Sequence, residues 1–189
     1  MNKFLNRSVF LIFTFLIFNS TLNAQIIKLH KIGVGTGLGV LKGNTPEEFG
    51  YSAQASVDFK LWFSEKYYFR TAAFYARKFS ILLPEDRFGR NYPFVQGFSL
   101  KFMGEQLVTT RISIEGGGGL AVINDRSFPE VNSWSFGSGV SFHTVFYFFD
   151  KTVESKGWSL HAGVEWNIGF FNTVPELNTI QAQLHYNFN

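Results

Sequence analysis

Ile32-Gly33-Val34-Gly35-Thr36-Gly37-Leu38-Gly39-Val40 alternates without a break. Ile32, Val34, Thr36, Leu38 and Val40 fall on one side of an extended chain, and four glycines fall on the other. A helix needs apolar residues three and four apart, and this much glycine would weaken it badly. The stretch therefore reads as a strand. Its glycines are spaced by two throughout, with no G-x-G-x-x-G register and no lysine in a Walker position, so it is not a phosphate-binding loop.

The same period continues along the chain. Tyr51, Ala53, Ala55, Val57, Phe59, Leu61 and Phe63 oppose Ser52, Gln54, Ser56, Asp58, Lys60 and Trp62. A third strand runs from Tyr67 to about Phe79, with Phe74 as an apolar exception on its polar side. A fourth sets Tyr92, Phe94, Phe98, Leu100 and Phe102 against Gly97, Ser99 and Lys101. Four more follow: Val108 to Val122, Trp134 to Phe148, Trp158 to Phe170, and Ile180 to Phe188.

Alternation alone also suits a soluble sandwich or a lipocalin-like barrel. Three features favour lipid. The apolar faces run five to seven positions, which suits the 9–11 residues or so that a tilted strand needs to cross a bilayer. The opposite face is dominated by Gly, Ser, Thr, Asn and Gln, which fit a narrow lumen and make a poor soluble surface. Aromatics stand at strand ends, among them Tyr51, Phe63, Tyr67, Tyr92, Trp134, Trp158 and Tyr186, where interfacial girdles are expected. Charged residues make up only 16% of the chain, low for a soluble surface.

Connection lengths give an independent check. Polar links containing Pro46, Pro84, Pro129 and Pro175 are expected at 42–50, 82–91, 124–133 and 171–177, alternating with tight turns at Ser64–Lys66 and Gly104–Gln106. The sixth link, 149–157, is longer than the scheme prefers. Long links on one side and short ones on the other are the habit of membrane barrels.

Residues 1–24 read as a signal peptide. Lys3 and Arg7 precede the apolar run Val9–Phe18, and a polar segment ends in Ala24. Ten apolar residues are too few for a spanning helix, which needs about 20. With Lys3 and Arg7 set aside from the 17 basic residues, 15 stand against 14 acidic ones, a balance that gives no reason to expect nucleic acid as a partner. The absence of Cys excludes disulfides, thiolate metal sites and a lipid-anchored Cys. The expectation is an all-β chain: an exported leader, 1–24, and one domain, 25–189, a closed antiparallel up-and-down transmembrane β-barrel of about eight strands.

The leader, the alternating faces, the even strand count and the closing Leu184-His185-Tyr186-Asn187-Phe188-Asn189 resemble the small outer-membrane β-barrel families. These include the OmpA-barrel, OmpX and OmpW groups and the porin-like barrels of the Bacteroidetes, to which the Asn23-Ala24-Gln25 junction and the Phe-rich composition look most similar. The resemblance implies outer-membrane lipid and lipopolysaccharide as surroundings, the barrel-assembly machinery as a partner during insertion, and a larger outer-membrane complex as a candidate partner. It also implies that Tyr186 and Phe188 form the C-terminal signal read by that machinery.

Asp58, Lys60, Arg70, Lys101, Arg111, Glu115 and Glu165 fall on the enclosed face. The lumen of an eight-stranded barrel is about filled by side chains, so these groups are expected to pair in a structural ion network. His143, His161 and His185 point the same way, on three successive strands; three imidazoles can hold zinc, but hydrogen-bonded lumen residues are the expectation, with no cofactor. Ser141, His143 and Glu165 would suit acyl transfer but face away from lipid, and no His-x-Ser motif occurs. Arg77, Lys78, Arg87 and Arg90 are the basic residues placed to touch lipopolysaccharide phosphates. The expected role is structural, adhesive or that of an accessory subunit, with a narrow channel and a lipid A-modifying enzyme as alternatives.

Overall fold

The computed structural model describes residues 27–61, 63–79, 94–127, 132–171 and 173–188. The expected signal peptide lies outside them, as do Tyr92, Pro84, Pro129, Arg87 and Arg90. Eight strands follow in order: β1 (Ile27–Lys42), β2 (Glu48–Leu61), β3 (Tyr67–Lys78), β4 (Phe94–Thr109), β5 (Ile112–Arg126), β6 (Ser133–Tyr147), β7 (Gly157–Gly169) and β8 (Glu176–Asn187). Each pairs antiparallel with the next, and β8 returns to β1, so the sheet has no free edge.

The glycines of β1 explain how the seam closes. Gly33, Gly35, Gly37 and Gly39 point inward, and β8 packs close against them. A Cβ on Gly39 would stand 1.8 Å from the Asn178 carbonyl oxygen, and one on Gly137 of β6 would stand 1.8 Å from that of Ile168. Side chains there would force the strands apart.

Outward positions are apolar over most of each strand. At about 3.3 Å per residue and a tilt of about 45°, the apolar face of β1 from Leu29 to Val40 stands about 25 Å tall. Among the described strand residues, outward charges occur only at the upper strand ends, at Lys42, Arg77, Arg126 and Glu176, while Lys28 lies opposite Lys60 at the lower rim. The upper end is the one that carries the links 43–47, 79–93, 127–132 and 170–175. The lower end carries 62–66, 110–111 and 148–156.

One expected turn is misplaced. Gly104–Gln106 is not a link but the lower part of β4, where Gly104 pairs with Gly116 and Glu105 with Glu115. The turn is Thr110–Arg111, after a bulge between Leu107 and Thr109. Glycine beside two polar residues looks like a turn locally, yet Glu105 keeps the inward parity of Lys101 and Met103. Its burial against Lys31 holds it in the ladder.

The lumen is divided by height. Near the upper end Leu41, Phe74, Ala76, Val95, Ala121, Ile123 and Leu177 form an apolar cluster. The Phe74 exception is thereby resolved, for its ring points inward into space left by Gly97, where a Cβ would lie 2.7 Å from Cζ. Below this seal the lumen is polar and charged.

Candidate functional site: the lumen network

Three carboxylates organise the lower lumen. Glu115 on β5 accepts from Arg70 Nη1 at 2.7 Å, His161 Nδ1 at 2.9 Å and His143 Nδ1 at 3.1 Å, all at one oxygen, while the Tyr68 hydroxyl donates to the other. Arg70 is bidentate to Asp58, through Nε and Nη2 at 2.8 Å each. Glu105 accepts from Lys31 at 2.8 Å, from Ser113 at 2.7 Å, and from Tyr147 and Lys151. Glu165 pairs with Lys101 at 2.6 Å and accepts from Asn167 at 2.9 Å and Gln181 at 2.7 Å.

These clusters are joined. Lys31 Nζ lies 3.8 Å from Glu115, linking the Glu105 and Glu115 groups, and Gln181 bridges Glu165 to His143 Nε2 at 3.2 Å. The polar contacts thus run unbroken from Lys151 at the lower mouth to Lys101 at mid-height. Four cations (Lys31, Arg70, Lys101, Lys151) stand against four anions (Asp58, Glu105, Glu115, Glu165). The set is self-neutral, which an enclosed ionic cluster needs because each uncompensated charge in a low-dielectric interior costs several kcal/mol.

Of the residues expected on the enclosed face, Asp58, Arg70, Lys101, Glu115 and Glu165 are buried there. Lys60 and Arg111 are not part of the network. Lys60 keeps inward parity, but it lies at the lower edge of β2, half-buried, and pairs with Glu65 of the adjoining link at 3.1 Å. Arg111 is exposed in the two-residue turn, because β4 and β5 extend further than the turn signal implied. Lys78, expected outside, points inward: it follows the parity of Ala76 and reaches Thr45 at 2.6 Å and the Pro46 carbonyl.

Lys31, Tyr68, Glu105, Tyr147 and Lys151 were not anticipated. Parity could have found four of them, since Lys31 precedes Gly33 by two, Tyr68 precedes Arg70, Glu105 follows Met103 and Tyr147 follows Val145. Nothing in a two-residue period places Lys151, which sits in the 148–156 link. That link folds under the mouth, with Phe149 packing on Val145 and Tyr147 and the Lys151 N–H donating to the Thr110 carbonyl at 2.9 Å. Its unusual length thus has a structural use.

The three histidines do share a height. His161 stacks on His185 with ring centroids 3.9 Å apart, and His143 lies 6.4 Å from His161. Among the described residues no group of three His, Asp or Glu is placed to hold a metal ion. Their nitrogens instead face Glu115, Ser159, Gln181 and Gln183.

One run has the connectivity of an acyl-transfer relay. Asn187 donates to Ser159 Oγ at 2.9 Å, Ser159 contacts His161 Nε2 at 3.0 Å, and His161 Nδ1 contacts Glu115. A relay of this kind needs a nucleophile that substrate can reach. Ser159 is wholly enclosed, and its carboxylate partner is shared with Arg70, Tyr68 and His143. The run works as part of the packing. Ser141 lies opposite Glu165 on β7, but its hydroxyl faces the Met103 sulfur while Glu165 is held by Lys101, Asn167 and Gln181.

A closed barrel of eight strands is also the architecture of solved outer-membrane proteins. The chain is similar in fold to Neisserial surface protein A. The two share 10% identity with a TM-score of 0.67, over 86% of this chain and 99% of that one. Lower-scoring matches are Ail, the attachment invasion locus protein of Yersinia pestis (TM-score 0.49, 12% identity, 85% of this chain and 98% of that one), and the N-terminal β-barrel domain of Pseudomonas aeruginosa OprF (0.48, 11%, 85% and 100%). No protein-family model matches the sequence, and no curated protein does. At such identities the likeness is one of architecture, and it agrees with the eight-stranded closure expected from the sequence.

Proposed function

We propose that this chain is an integral outer-membrane β-barrel, exported by the leader 1–24, that serves as a rigid, closed, non-enzymatic scaffold. Its role is structural, adhesive or that of an accessory subunit in a larger outer-membrane complex. One observation carries the reading: the apolar face is outside and a self-neutral ionic network is inside. Large side chains such as Leu120 (71% exposed), Phe136 (69%) and Ile180 (72%) stand outward, while Arg70, Lys101 and Glu115 are enclosed. A soluble barrel with this surface would aggregate, because exposed apolar area on this scale is not tolerated in water.

In this reading the network is a plug that fixes strand register. The ionic layer fills the lower half of the lumen and the Phe74 cluster closes the upper half, which disfavours free passage of solutes. The surroundings are outer-membrane lipid and lipopolysaccharide, the barrel-assembly machinery is the partner during insertion, and Tyr186 and Phe188 are its signal. Burial of Ser159 counts against lipid A modification.

The test is to refold residues 25–189 into lipid vesicles and into a planar bilayer. The expected result is insertion, a band in detergent electrophoresis that shifts on heating, and no steady conductance. A protein that stays monomeric in water without detergent would sink the membrane assignment, and a stable open-channel current would sink the plug.

A further inference from the structure

The outer surface is not uniform at its upper rim. Tyr51, Arg77, Phe94 and Arg126 form one outward row across β2, β3, β4 and β5. Arg77 and Arg126 flank Phe94, two strand spacings or about 10 Å apart, with the Arg126 guanidinium 5.6 Å from the Phe94 ring centroid. The row beneath carries Tyr75, Gln96 and Asn124, and Gln96 donates to Asn124 at 3.3 Å. Across the barrel, Lys42 lies opposite Glu176.

Directly below this cationic patch the wall is hollowed. A recess of about 550 Å³ has a floor of Ala53, Ala55 and Ala73, with Tyr75 and Gln96 at its top and Phe98 and Val34 at its sides. A second recess, of about 620 Å³, shares Val34, Ala55, Ala73 and Phe98 and continues down past Thr71 and Leu100. The alanines make the hollow: at these positions the outward face has only a methyl group, while neighbouring strands present Phe and Leu.

We infer that this face binds one lipid A molecule, with a phosphate held between Arg77 and Arg126 and an acyl chain laid in the alanine groove. The inference rests on the outer-membrane reading, which turns the long-link end toward the outer leaflet, where lipid A resides. Guanidinium groups suit phosphate because their paired donors match its oxygens. A groove that starts below the cations and descends through the apolar belt suits a chain that hangs from a phosphorylated headgroup. The cationic rim supplies charge complementarity that bare apolar wall lacks.

Native mass spectrometry of the detergent-purified barrel, incubated with bisphosphorylated lipid A, tests it. One retained lipid is expected. Arg77→Gln with Arg126→Gln should lower retention about tenfold, in line with two charge-assisted contacts at a partly exposed site. Ala73→Leu, which fills the groove without touching the arginines, should lower it too, as should removal of the lipid phosphates. Unchanged retention in these variants, or equal retention of phosphatidylglycerol, overturns the site. The heat-shifted band and vesicle insertion, measured on the same samples, keep the two readings apart. Barrels that insert but do not select lipid A refute this inference alone, whereas barrels that fail to insert refute the membrane reading beneath it.

Discussion

Arg70 and Asp58 stand directly opposite each other on β3 and β2 and are joined by two parallel hydrogen bonds of 2.8 Å inside the barrel. The pair ties strand register to charge pairing. A slip of one residue between β2 and β3 would send one of the two outward into the apolar face, leaving its partner alone.

Removing Arg70 should therefore be costly. Arg70→Ala strands Asp58 and takes the guanidinium from Glu115, leaving it Tyr68 and two histidines, and the expected loss is about 3–5 kcal/mol in a urea titration of the vesicle-inserted barrel. Asp58→Ala should also destabilise, but the double variant should lose less than the two single losses together, because the groups act as one unit. Strict additivity would show that the pair is not coupled.

Inward and outward glycines should behave differently. Gly137→Ala places a methyl group 1.8 Å from the Ile168 carbonyl oxygen, and the backbone there has no route of escape. Refolding yield should collapse, or stability should fall by more than the 1–3 kcal/mol or so that ordinary overpacking costs. Gly118→Ala, whose new methyl would first meet atoms 3.4 Å and 3.6 Å away, should refold like the parent chain.

The upper seal can be thinned without opening the barrel. Phe74→Ala removes the largest side chain of the apolar cluster and should cost about 3–5 kcal/mol. Conductance should stay at zero, since the ionic layer around Glu115 and Glu105 still fills the lower lumen. A current from this single variant would show that the ionic layer leaves a path.

The 148–156 link offers a pH readout outside the membrane. The side-chain hydroxyl and backbone N–H of Thr152 both donate to Asp150, at 2.6 Å and 3.0 Å, and hold its carboxyl below the ordinary aspartate range. A carboxylate depressed in this way stabilises the folded link above its unfolded pKa, and that contribution fades as pH falls through the lower, folded value. In Thr152→Ala the Asp150 titration, followed by carboxyl NMR, should move upward. No movement would mean that the hydroxyl contact is not kept in solution.

Much of the architecture was legible because one physical rule governs it. Strand side chains alternate, so a barrel in lipid prints its apolar wall and polar lumen on the sequence with a period of two. That period separated Asp58 and Arg70 from their outward neighbours, and it flagged Phe74 as an inward aromatic. It failed at Gly104–Gln106, where local turn chemistry outweighed the continuing parity of Glu105, and the error displaced Arg111 from turn to lumen.

The sequence by itself determined the fold class, the strand count and, away from the strand ends, which residues face in. Those follow from local alternation and from where it breaks. Only the tertiary structure decided which enclosed groups meet, that Glu115 gathers Arg70, Tyr68, His143 and His161 and that Lys31 and Lys151 share Glu105, and, on the outer wall, that the alanines of β2 and β3 come together below Arg77. Those meetings depend on the register of each strand against the next and on closure of β8 onto β1. A pattern that repeats every two residues says which face a side chain takes, but it carries no information about how far one strand is shifted along another.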